Sequence, residues 1–351
     1  MAKQQDWKKL LKADPTDWLL EEADPGVRYL ALRDIVNADE KEIKAARRKA
    51  HREGPIALIL ANMNPEGWWV RPGFGDMHHF KGTGFSIISL AQLGGSIEED
   101  KRIGTACSYY LDHALTKGGQ FAPIWKPTGT AHCLQGDMLT SLMDLKFKDK
   151  RLDIAYEWMA RTVTGEGLPK RLNADGFDAA KGGPGPYRYL RRFEGPIFAC
   201  TTNKHLSCAW GGVNVMMAFS RLPKVGRTSL IEQAVEAGLK YFFSVDPSTA
   251  NFPGERAPEP NFRWWKFAFP VLPSDIIKLA ESLTALGYGG DPKLAKTLDL
   301  ILSKQDENGR WTLEYVDHKH KMWVEYGSQE KPNKWVTLRA MRVLKQAGEQ
   351  M

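Results

Sequence analysis

Cysteine is scarce, with four residues in a chain of 351, and none of the four forms a tight Cys-x-x-Cys pair, which argues against a disulfide scaffold. No run of eighteen apolar residues occurs, so no membrane-spanning segment is expected. The first residues, Met-Ala-Lys-Gln-Gln-Asp-Trp, have no apolar leader, and a cytoplasmic chain is expected. No Gly-x-Gly-x-x-Gly, Walker-type Gly-Lys-Ser/Thr or Gly-x-Ser-x-Gly string appears, which leaves nucleotide binding and serine-elbow hydrolysis without a motif. Lys and Arg exceed Asp and Glu by 49 to 42, but no basic run is interleaved with aromatics, so no nucleic-acid partner is expected.

What the chain does have is a repeated amphipathic unit. In Ser282-Leu-Thr-Ala-Leu-Gly287 and the residues before it, Ile276, Leu279, Leu283 and Leu286 fall on one helical face, and Gly287 stops the helix. Asp291-Pro292 then opens a second helix, with Asp as cap and Pro in the first turn. The ending recurs at Ser89–Gly94, Ser141–Lys146, Ala218–Pro223 and Ala340–Lys345, so consecutive copies start 52, 77, 64 and 58 residues apart. A helical hairpin cannot bury its apolar face alone, and several must stack. The expectation is one all-α domain over 1–351, an (α/α) toroid of about five to six hairpins. Residues 1–23 read as an N-terminal extension. Residues 165–199, rich in Gly and Pro around Lys181–Tyr187, read as an inserted loop.

The turns closing the units carry a further pattern. Gln305-x-x-x-Gly309-x-Trp311 is similar to the Gln-Trp repeat of the squalene–hopene cyclase superfamily, and Met63-x-x-x-Gly67-x-Trp69 differs from it only in Met for Gln. With hairpins over about 24–347, the chain resembles the prenyltransferase and squalene oxidase repeat proteins, relatives of terpenoid cyclases and protein prenyltransferase β subunits. The resemblance implies inner helices around a central cavity, outer helices around those, and a hydrophobic small molecule as partner. The Asp-x-Asp-Asp string with which squalene cyclases protonate an alkene is missing, and Pro273-Ser-Asp275 offers a single acid at a helix start.

Three constellations could carry chemistry. Asp275, Asp137, His79 and His132 lie at expected inner-helix starts, where an acid kept protonated by apolar walls can donate a proton; helix capping is their structural alternative. Trp125, Trp264, Trp265 and Trp323 fall in loops and are candidates for a cavity rim that stabilises cations or stacks on a ligand. Cys133, Cys200, His205 and Cys208 supply the thiolate and imidazole types that suit zinc, although buried free cysteines are also common in cores. Three functions follow as expectations. The first is a terpenoid-cyclase-like enzyme using acid-assisted isomerisation, cyclisation or lyase chemistry on an apolar, isoprenoid-like molecule in an aromatic-rich central pocket. The others are a non-catalytic toroid that binds a hydrophobic ligand or peptide and holds structural zinc, and a glycan-active enzyme with paired carboxylates.

Overall fold

A computed structural model describes residues 7–73, 80–121, 132–166, 196–200, 203, 206–254, 260–271, 274–316 and 322–351. The first hairpin pairs α2 (Pro25–Ala31), extended by a π-helical turn over Leu32–Val36, with α3 (Glu40–Arg52). Pro25 occupies the first turn of α2, where its missing N–H costs nothing. After α4 (Pro55–Ala61), four more hairpins follow in chain order. They pair α5 (Thr83–Gln92) with α6 (Lys101–Ala114), and α7 (His132–Asp144) with α8 (Arg151–Thr164). Next come α9 (Ala209–Ser220) with α10 (Ser229–Phe242), and α11 (Ile276–Ala285) with α12 (Ala295–Ser303). The last helix, α13 (Lys334–Gly348), returns to pack on α2.

The first members of these pairs form a closed inner ring. Contacts run α5–α7–α9–α11–α13–α2, and Leu30 and Tyr29 of α2 pack against Gly94 just beyond α5, which shuts the ring. The α7–α9 seam is the tightest, because a Cβ on Gly136 would come within 2.3 Å of the Asn214 backbone. The inner helices are apolar nearly all round: α9 buries every residue from Gly211 to Phe219, as a helix covered on both sides must. The outer helices keep one polar face; α3 buries only Ala50 and His51. The toroid expected from the repeats is therefore the observed fold.

The N-terminal segment packs onto the ring. Its 3₁₀ turn Trp7–Leu10 and the short α1 (Thr16–Leu19) pack on α13 and fill the sixth outer position. The Lys12 N–H donates to Gln305 Oε1 at 2.7 Å, and Gln305 Nε2 donates to the carbonyls of Ala13 and Gly309. Gly309 is needed here on two counts: its φ is +78°, and a Cβ would lie 2.1 Å from the Ala13 carbonyl oxygen.

Turns at the ends of outer helices are pinned to the next inner helix in a repeated way. Trp69 Nε1 donates to Ile59 O at 2.8 Å, and its N–H reaches Thr83 Oγ1 in the first turn of α5. Trp311 Nε1 donates to Ile301 O at 2.7 Å, and its N–H reaches Thr337 Oγ1 in α13 at 2.9 Å. At the third such turn the Phe121 N–H donates to Gln135 Oε1 of α7.

Candidate functional site

The ring is plugged near its centre. The segment Phe267–Val271, just before α11, dives into its centre and is buried along its length. Phe269 stacks on Trp335 with centroids 4.7 Å apart, and the Val271 N–H donates to Gln92 Oε1 of α5, on the far side of the ring. Arg339 of α13 holds this plug: its guanidinium donates to Ala268 O and, through two bonds of 2.8 Å, to both oxygens of Asp275. Asp275 also accepts from the N–H groups of Lys278 and Ala268.

On one side of the plug lies a cavity of about 740 Å³ lined by residues of all six inner helices. The lining includes the last turns of those helices, for example Gln92, Asp144, Ala285 and Gln346, so the mouth opens at their C-terminal ends. Each helix end places roughly half a negative charge there. Seven cations and five carboxylates line the space, and the cations in final turns offset those helix ends. Arg33 chelates Asp34, with contacts of 2.5 and 2.9 Å, and Arg342 pairs with the same carboxylate. Burial pushes the Asp34 carboxyl up, but the two guanidinium groups outweigh it and hold it below the ordinary range. Across the mouth, Arg221 pairs with Asp144 at 2.7 Å and approaches Glu281. Deeper in, the walls are partly apolar, with Leu30, Ile88, Met217, Phe269 and Val271.

Asp137 of α7 sits at the deep end of this space, hydrogen-bonded to Lys278 Nζ of α11. The pair reaches past the intervening α9, whose backbone at Asn214 packs directly on Gly136 of α7. Both side chains are buried. Burial raises the Asp137 pKa, and the attraction of Lys278 offsets only part of that rise. A carboxyl and an ammonium sharing a proton beside a cavity can pass it to a bound molecule.

The sequence-predicted residues divide sharply. Asp137 lines the cavity. Asp275 caps α11, and four N–H donors occupy its two oxygens, so its carboxyl is engaged in holding the helix start and the plug and does not line the cavity. His132 is buried with Nε2 2.9 Å from Thr162 Oγ1 of α8, away from the cavity, and burial depresses its pKa to about 4. The pocket is not aromatic-rich: Phe269 is its one aromatic lining residue among those described, because the tryptophans went elsewhere. Trp264 is fully buried between Trp210 and Phe252. Trp265 donates to Ser248 O on the outer layer, and Trp323 donates to Ser86 Oγ beneath the Lys81 ammonium. His79, Trp125 and His205 lie outside the described residues.

The cysteines do converge in part. Cys208 precedes α9, beside the first turn of α7 that carries Cys133, and a two-stranded hairpin of β1 (Ala199–Cys200) and β2 (Leu206–Ser207) brings Cys200 back toward Cys208. Among the described residues no group of three or more Cys, His, Asp or Glu has a geometry that could hold a metal ion. Also among the described residues, no helix is long and apolar enough to cross a membrane.

Lys278 and Arg339 were missed by sequence reasoning. Their signal was a lone cation within an apolar run, Ile276-Ile-Lys-Leu-Ala280 and Val336-Thr-Leu-Arg-Ala-Met341, where a solvent-facing charge has no place.

No protein-family model matches the sequence, and no curated protein matches it. Among solved structures the chain is similar to the apo form of the type II terpene cyclase MstE from Scytonema, at 14% identity and a TM-score of 0.30, over 88% of this chain and 98% of that one. It is similar to a protein from Actinoplanes at 12% identity and a TM-score of 0.30, over 87% of this chain and 99% of that one.

Proposed function

We propose that the protein holds an amphipathic small molecule in the central cavity and acts on it by acid-assisted isomerisation, cyclisation or lyase chemistry, with Asp137 as the acid. The observation that carries this reading is the buried Asp137–Lys278 pair at the deep end of the cavity. Burial favours the protonated carboxyl, which is the form a proton donor must take, and the carboxylate left after transfer, held by the Lys278 ammonium, is placed to take a proton back.

The lining supports this substrate class. An apolar, isoprenoid-like body fits against Leu30, Ile88, Met217 and Phe269, while the charged mouth requires a polar end that reaches water or pairs with Arg and Asp side chains. A purely hydrocarbon ligand would strip water from the mouth's ion pairs and return nothing for it.

The test is conversion. Wild-type and Asp137→Asn protein are incubated with a panel of isoprenoid alcohols and acids, and products are resolved by mass spectrometry. The expected result is a product from the wild type whose rate of formation falls at least about 100-fold in the variant. Equal rates would remove Asp137 from the chemistry, and turnover of hydrocarbons alone would overturn the substrate class.

A further inference from the structure

At the opposite end of the toroid from the cavity mouth, the structure places two thiols in reach of each other at the start of an inner helix. Ala199 pairs with Ser207 and Cys200 with Leu206 in the antiparallel hairpin, and the Cys208 N–H donates to Phe198 O at 2.9 Å, which continues the ladder. Side chains two residues apart share one face of a strand, so Cys200 and Cys208 project to the same side. The two thiols lie near enough to influence each other, and Cys133, in the first turn of α7, is a third thiol nearby. All four cysteines are free thiols, and Cys107 lies apart, buried in α6.

We propose that Cys200 and Cys208 form a thiol–disulfide modification site, closed by a low-molecular-weight disulfide of the glutathione type. Cys208 is the more exposed of the two and meets the oxidant first; its thiolate attacks one sulfur of the small disulfide and releases one small thiol. The Cys200 thiolate then attacks Cys208 of the mixed disulfide and expels the second small thiol. Two protein thiols lose two protons and two electrons, and one small disulfide becomes two thiols. The neighbouring Cys200 thiol and burial together raise the pKa of Cys208, so few thiolates exist at neutral pH and closure speeds up as the pH rises. The bond ties β1 to the residue that precedes α9, locking the start of an inner element.

The test uses the full-length protein in oxidised glutathione at pH 8.5, followed by intact mass, thiol counting and peptide mapping. The expected result is a loss of about 2 Da, a fall from four free thiols to two, and a Cys200–Cys208 linked peptide. The Cys200→Ser variant should instead trap one glutathione on Cys208, which reads the attacking thiol even if the wild-type linkage is short-lived. Four unreacted thiols in the folded protein, under conditions where the urea-unfolded chain reacts, would overturn the proposal. So would a linkage that maps to Cys133, or a glutathione trapped on Cys133 or Cys107 in the variant.

Discussion

Arg339 and Asp275, 64 residues apart in sequence, meet through two parallel hydrogen bonds of 2.8 Å inside the ring, and the same guanidinium holds the carbonyl of Ala268. One ion pair thus fixes the last inner helix to its neighbour and anchors the segment that plugs the toroid. Removing one partner leaves the other charge buried without compensation. Arg339→Met and Asp275→Asn are each expected to lower unfolding free energy by about 3–5 kcal/mol in urea melts. Arg339→Lys should recover only part of the loss, since an ammonium cannot reproduce the planar fork. Losses below about 0.5 kcal/mol for either variant would contradict the clamp.

The Asp137–Lys278 pair should respond to pH in a way the clamp does not. In Lys278→Met the attraction that holds the Asp137 pKa down is gone, so the folded-state pKa rises further above the unfolded one. The folded state then binds a proton that the unfolded state releases above its pKa of about 3.9, and stability falls as pH rises from there through the folded-state pKa. The single variant should therefore cost more at pH 8 than at pH 5, by up to about 3–5 kcal/mol where the carboxylate is forced to ionise. The apolar double variant Asp137→Leu/Lys278→Met should be within about 1–2 kcal/mol of wild type and lack that pH dependence. Chemical denaturation at the two pH values checks both.

His132 gives a signature at lower pH. Its folded-state pKa is pushed down to about 4 by burial, against about 6.5 in the unfolded chain. The imidazole contribution is fully present above 6.5 and is lost as pH falls toward 4, because the unfolded state takes up the proton first. The loss over that window is about 3 kcal/mol. Replacement by Gln should flatten this slope, and proton NMR of the ring should show no titration near 6.5.

The repeated pinning of turns to inner helices is testable at its best-formed example. Thr337→Val removes the acceptor of the buried Trp311 N–H and is expected to cost about 1–3 kcal/mol. Gly309→Ala should cost more than an ordinary surface change, since the added methyl meets the Ala13 carbonyl and the backbone sits at a φ of +78°. Calorimetric melting of the two variants measures both effects.

The fold was legible because it repeats: helix endings such as Ser282–Gly287 and turns such as Gly309-x-Trp311 announce themselves by local pattern, whatever lies around them. The site was legible only where local pattern and position coincide. Asp137 stands at a predicted inner-helix start and does line the cavity. Asp275 stands at an equivalent place, yet its partner Arg339 comes from another hairpin, and nothing near Asp275 in sequence reveals a guanidinium waiting for it. The tryptophans misled for a related reason. Trp264 lies in a loop by sequence, but that loop folds inward and spends its aromatics on packing against Trp210 and Phe252. The N-terminal segment reads as an extension because it carries no copy of the repeat; its place against α13 depends on Gln305, far along the chain.

Burial holds an acid at the deep end of the cavity, with Lys278 beside it. The most direct measurement is the titration of the Asp137 side-chain carboxyl by carbon NMR, assigned by comparison with Asp137→Asn. The expected result is a pKa above the ordinary value of about 3.9, and a further rise in Lys278→Met. A carboxyl that titrates at or below the ordinary value, and does not move when Lys278 is removed, would contradict it.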